Sequence, residues 1–83
     1  MILTIDIGNT NIVLGGFDDE KLRFISRIST NAKKTDAEYA TKLKSILSLY
    51  GVDESEVSGA AISSVVPILT QTMANAIKIV FNV

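Results

Sequence analysis

The chain has 83 residues. That is room for one small domain or part of one, and such a domain buries only about 60–65% of its unfolded surface. Hydrophobic residues make up 47% and charged residues 20%, a globular rather than a disordered balance, and the net charge of −1 leaves no electrostatic footprint for nucleic acid or an anionic membrane as a partner. There is no cysteine, so disulfides and thiolate metal sites are excluded, which fits a cytoplasmic protein. There is no histidine, which removes the commonest general base and transition-metal ligand. Asp6 interrupts the N-terminal apolar run and no basic region precedes it, so no signal peptide is expected. No apolar run reaches the length of a membrane span.

Ile2 to Ile7 reads as a strand that is apolar on both faces, hence central and covered. Asn11 to Phe17 reads as its antiparallel partner, with Gly15 and Gly16 marking a bulge or a close helix contact, and a ligand contact as the alternative. Asp18 to Lys21 is a charged, solvated hairpin turn. Leu22 to Thr30 is a third strand. Simple alternation puts Leu22, Phe24 and Ile28 on one face, and Arg23, Ile25 and Arg27 on the other, as suits an edge strand. Ser29 to Lys34 is a polar loop in which Lys33 and Lys34 are solvated.

Thr35-Asp36-Ala37-Glu38 is a capping box opening a helix that runs to about Tyr50. Ala40, Leu43, Ile46, Leu47 and Tyr50 form its core stripe, and Gly51 ends it. Val57 to Val65 is a fourth strand. Because it follows a helix, it should lie parallel to the first through a right-handed crossover. Pro67 opens a second helix with Ile68, Leu69, Met73, Ala76, Ile77 and Val80 on its buried side. Ser63 and Ser64 stand where strand meets helix. One of them is expected to cap that helix, and an anion at the helix N-terminus is the alternative. Phe81 to Val83 is a candidate start of another strand.

The stretch that carries chemistry is Asp6-Ile7-Gly8-Asn9-Thr10-Asn11. An acid ends a buried strand, where it is costly unless paired. Gly8 permits positive φ and close approach of a ligand, and the amide and hydroxyl residues after it supply donors. Successive backbone N–H groups in such a turn can cradle an anion, and one carboxylate beside a phosphate can hold a hydrated Mg²⁺. A plain hairpin, with Asp6 accepting turn N–H groups, explains the same residues. The Gly-Lys-Ser/Thr ending of a P-loop and the Gly-x-Gly-x-x-Gly dinucleotide fingerprint are both missing.

With Gly15, Phe17 and Asp18 following it, this stretch resembles the start of the type III pantothenate kinases, members of the acetate and sugar kinase, Hsp70 and actin superfamily. Ile62-Ser63-Ser64-Val65-Val66-Pro67 is similar to a second segment of that family. The resemblance implies an α/β, ribonuclease H-like mixed sheet (β-β-β-α-β-α, order 3-2-1-4) with helices packed on the sheet faces. Residues 1–83 would form the N-terminal part of that nucleotide-binding domain, incomplete and without the second domain.

It also implies transfer of the ATP γ-phosphoryl group to pantothenate, the first step toward coenzyme A. ATP, Mg²⁺ and a monovalent cation (K⁺ or NH₄⁺) are the implied cofactors, and the family acts as homodimers. Asp6 would be the catalytic and metal-holding acid, and Asp6, Ile7, Gly8, Asn9, Thr10, Asn11, Ile12 and Val13 would form the cofactor-binding turn. The family's Gly-x-Asp-Arg and Asp-x-Gly-Thr segments have no counterpart in the 83 residues, so these alone are expected to be inactive. Two other roles stay open: a non-enzymatic accessory factor for transcription, and another ATPase of the superfamily. The Ser63 to Pro67 segment argues against the latter.

Overall fold

The computed structural model describes residues 1–82. The elements in order are β1 (Ile2–Ile7), β2 (Asn11–Asp18), β3 (Lys21–Ser29), α1 (Asp36–Leu49), a 3₁₀ turn (Glu54–Glu56), β4 (Gly59–Ser64) and α2 (Pro67–Phe81). The sheet order is β3-β2-β1-β4. The first three strands are an antiparallel meander, and β4 pairs parallel with β1, as the intervening helix requires. This is the topology expected of the sequence.

One face of the sheet carries the core. Leu3, Ile5 and Ile7 of β1, Ile12 and Leu14 of β2 and Phe24 of β3 are buried with Tyr39, Leu43 and Leu47 of α1 and Leu69, Met73 and Ile77 of α2. Both helices therefore cover the same face. Among the described residues the other face is open. Ile2 is 44% exposed and Asp6 is exposed, so β1 is not covered on both sides as its composition suggests. No helix among the described residues is long and apolar enough to cross a membrane.

Local chemistry explains the element ends. The Thr35 hydroxyl accepts the Glu38 N–H at 3.2 Å, and the Glu38 carboxylate accepts the Thr35 N–H at 3.0 Å. Gly51, at φ +70°, stops α1 in the left-handed region that glycine tolerates. The unforeseen 3₁₀ turn is capped in the same way as α1, by Asp53 and Glu56.

Further readings change. Tyr50, expected in the core stripe of α1, is 43% exposed. A bulge in the β2–β3 ladder shifts the register next to Gly16 and Phe17, so Leu22 faces Phe17 while Phe24 faces Gly16. Leu22 thus lies on the open face, opposite Phe24. Asp18 is not merely solvated, because it accepts a 2.6 Å charged hydrogen bond from Arg23, which also reaches Glu56 at 3.3 Å. Ile68 is 67% exposed, whereas Leu69, Met73, Ala76 and Ile77 are buried as expected. Lys34 is not simply solvated, since its ammonium lies 5.7 Å from the centre of the Tyr39 ring. Phe81 is helical and Asn82 is the left-handed cap, so no strand starts there, and Val83 lies outside the described residues.

Candidate functional site

Asp6 sits near the carboxyl end of β1, between Val13 of β2 and Ser63 of β4. Alternation that buries Ile5 and Ile7 turns Asp6 to the open face. No hydrogen bond from the described residues reaches its carboxylate, so the plain-hairpin role, in which Asp6 accepts turn N–H groups, is not the one seen. The strand ends and the start of α2 meet here, the place where open α/β sheets put their ligands.

The turn after Ile7 is short. Ile7 pairs with Ile12, and the Gly8 N–H donates to the Asn11 carbonyl at 2.9 Å. Gly8 is not at positive φ, and neither are Asn9, Thr10 or Asn11. Glycine is favoured for another reason: a Cβ at position 8 would stand 3.0 Å from the Asn11 carbonyl oxygen, a tight approach. The N–H groups of Asn9 and Thr10 donate to no described group, and both residues are exposed. Without a left-handed residue the turn is not a regular anion nest. It offers two free donors close to one free acid.

Gly15 and Gly16 are structural, as expected. A Cβ on Gly15 would stand 2.9 Å from the Thr4 hydroxyl, and one on Gly16 would enter the Phe24 ring. The serines behave otherwise than expected. Ser64 Oγ accepts the Val66 N–H and donates to the Val66 carbonyl, both at 3.1 Å, which forms a tight local turn. Val66 is the N-cap of α2, with no side-chain cap. Ser63 is exposed beside Asp6.

Among the described residues no cluster of three or more His, Cys, Asp or Glu side chains is placed to hold a metal. Mg²⁺ does not need one. It keeps several waters and binds through one or two carboxylates plus substrate phosphates, and a single unengaged carboxylate fits that demand. Reasoning from sequence missed Thr30, whose hydroxyl donates to the Gly8 carbonyl at 2.7 Å and whose N–H donates to the Thr10 carbonyl at 2.9 Å. Only the register of the folded meander reveals that contact.

Comparison with known proteins agrees with this arrangement. The family model described as "Type III pantothenate kinase" matches residues 2–83. The type III pantothenate kinase of Finegoldia magna is 51% identical over 78 residues, covering 94% of this chain and 30% of the relative. That of a Roseiflexus species is 42% identical over 83 residues, covering 100% of this chain and 32% of the relative. That of Moorella thermoacetica is 42% identical over 77 residues, covering 93% and 30% respectively. The chain thus spans about 30% of the length of these relatives. A match along almost every residue, on a meander and crossover that set an acid beside a Gly-Asn-Thr turn, places the chain in the type III pantothenate kinase family.

Proposed function

We propose that the chain supplies the ATP-phosphate turn of a kinase that transfers the γ-phosphoryl group of ATP to pantothenate, the first step of coenzyme A synthesis. One observation carries the reading: Asp6 stands exposed and without a hydrogen-bond donor at the end of β1, next to a turn with two free N–H groups. In this reading residues 1–83 are the N-terminal part of a nucleotide-binding domain of a cytoplasmic homodimer that acts on a small molecule, with neither nucleic acid nor membrane as partner. The whole enzyme uses ATP, Mg²⁺ and a monovalent cation (K⁺ or NH₄⁺).

Phosphoryl transfer depends mainly on positioning and on neutralising charge. Bound Mg²⁺ supplies the neutralising charge on the phosphates. Asp6 would hold that ion and so help to fix where the phosphates lie. The Asn9 and Thr10 N–H groups, which have no described acceptor, would donate to phosphate oxygens, and Gly8 to Asn11 would line the site. Ile7, Ile12 and Val13 keep the two strand ends in register. The groups that hold pantothenate and take its proton come from the rest of the protein, so these residues alone turn over no substrate.

The test is Asp6→Asn, read by calorimetry with Mg·ATP. The exchange keeps size and removes charge. We expect at least a tenfold loss of affinity, about 1.4 kcal/mol or more, with the thermal unfolding curve little moved because Asp6 is exposed and unbonded. Unchanged Mg·ATP binding would refute the assignment.

A further inference from the structure

The β1–β2 turn does not hold itself in place. Two-residue hairpin turns favour left-handed residues, whose twist matches the strands. Asn9 and Thr10 are not left-handed. Asn9 and Thr10 donate none of their backbone N–H groups within the turn, and its single internal bond is Gly8 N–H to Asn11 carbonyl. Its shape is fixed from outside, by the residue just past the end of β3. The Thr30 hydroxyl binds the Gly8 carbonyl at 2.7 Å, and the Thr30 N–H binds the Thr10 carbonyl at 2.9 Å.

Thr30 is anchored in turn. The next residue, Asn31, is gripped at both backbone groups by one hydroxyl. Its N–H donates to Tyr39 Oη at 3.0 Å, and Tyr39 Oη donates to its carbonyl at 2.8 Å. Tyr39 lies in α1 with 1% exposure, so it is fixed by the core. A continuous line of bonded groups runs from the core of α1 through Asn31 and Thr30 to the turn.

We propose that Thr30 is a positioning residue for the nucleotide turn. This rests on the reading of that turn as the phosphate site. By engaging the Gly8 and Thr10 carbonyls, Thr30 sets the planes of the Gly8–Asn9 and Thr10–Asn11 peptides, which flank the peptide that carries the Thr10 N–H. It also occupies lone pairs that would otherwise repel a phosphate. The free N–H groups of Asn9 and Thr10 are then presented without a further ordering cost when the anion arrives.

The test uses Thr30→Val, which keeps shape and removes the hydroxyl, and Thr30→Ser, which keeps the hydroxyl. Two readouts are taken on each: amide hydrogen exchange of Gly8 by NMR without nucleotide, and Mg·ATP affinity by calorimetry. In Thr30→Val, Gly8 exchange should speed at least tenfold and Mg·ATP affinity fall about tenfold. Thr30→Ser should restore both to near the parent values. Parent-like exchange and affinity in Thr30→Val would overturn the proposal. So would equal impairment in both variants, since packing of the methyl group would then be the cause. A parent protein that binds no Mg·ATP would overturn the phosphate reading, and with it the nucleotide role given to Thr30. The exchange comparison would still decide whether Thr30 braces the turn.

Discussion

Gly16→Ala is the sharpest test of the packing. Gly16 is buried in β2 and pairs across the ladder with Phe24. A Cβ there would stand 2.8 Å from Phe24 Cδ1 and 2.8 Å from the Met1 sulfur, and still nearer to Phe24 Cε1. The ring is also held by stacking on Tyr50, with centroids 5.1 Å apart. Overpacking a tight core costs about 1–3 kcal/mol. Alanine recovers roughly 0.4–1 kcal/mol by restricting the unfolded chain. The net expectation is a loss of about 1–2 kcal/mol. For a domain of this size that lowers Tm by roughly 5–15 °C. Circular dichroism melts and urea titrations measure it. Adding Phe24→Leu should return part of the loss, since the two sites are in contact and should not be additive. A Gly16→Ala chain as stable as the parent would refute the reasoning.

Other outcomes follow from the capping box. Thr35→Ala should cost about 1 kcal/mol in urea unfolding, with the loss confined to α1 in hydrogen exchange. The Glu38 carboxyl is held below its ordinary value of 4.5, first by the Thr35 backbone N–H and then by the Thr35 side chain. A carboxyl depressed in the folded state adds stability above its unfolded value, and that stability is lost as pH falls through the folded value. Glu38→Gln should therefore flatten part of the acid limb of the stability–pH curve below about pH 4.5 and leave the slope at neutral pH unchanged.

Much of the fold was legible because its signals are local. Thr35 and Glu38 stand three residues apart, so their reciprocal bonds can be read from the chain itself. The crossover after α1 dictated that β4 be parallel to β1. Leu22 was misplaced because a bulge breaks the simple alternation, and no residue type announces that shift. Ile68 was misplaced because helical spacing gives a stripe but not its width. That Asp6 stands near the end of β1 ahead of a tight turn was legible, since the apolar run meets an acid and then Gly-Asn-Thr. The reason for Gly8 was not. The Asn11 carbonyl that would crowd a Cβ is a matter of turn geometry rather than of φ. Thr30 was invisible because its partner Gly8 is 22 residues away.

The parallel pairing of β1 with β4 also orders events in time. Ser58 binds the Met1 carbonyl across a separation of 57 residues, whereas the β2–β3 hairpin closes over the two residues Asp19 and Glu20. Closing a longer loop costs more entropy before any contact rewards it. The three-stranded meander, including the brace from Thr30 to Gly8, is thus the kinetically cheap half of the sheet. On that ground β4 is expected to seat after the meander, a sequence that pulse-labelled hydrogen exchange during refolding would check. The turn after β1 lies within the meander, while the anchor of its brace, Tyr39, belongs to α1. Ser63, the neighbour of Asp6 on β4, belongs to the strand that closes the long loop.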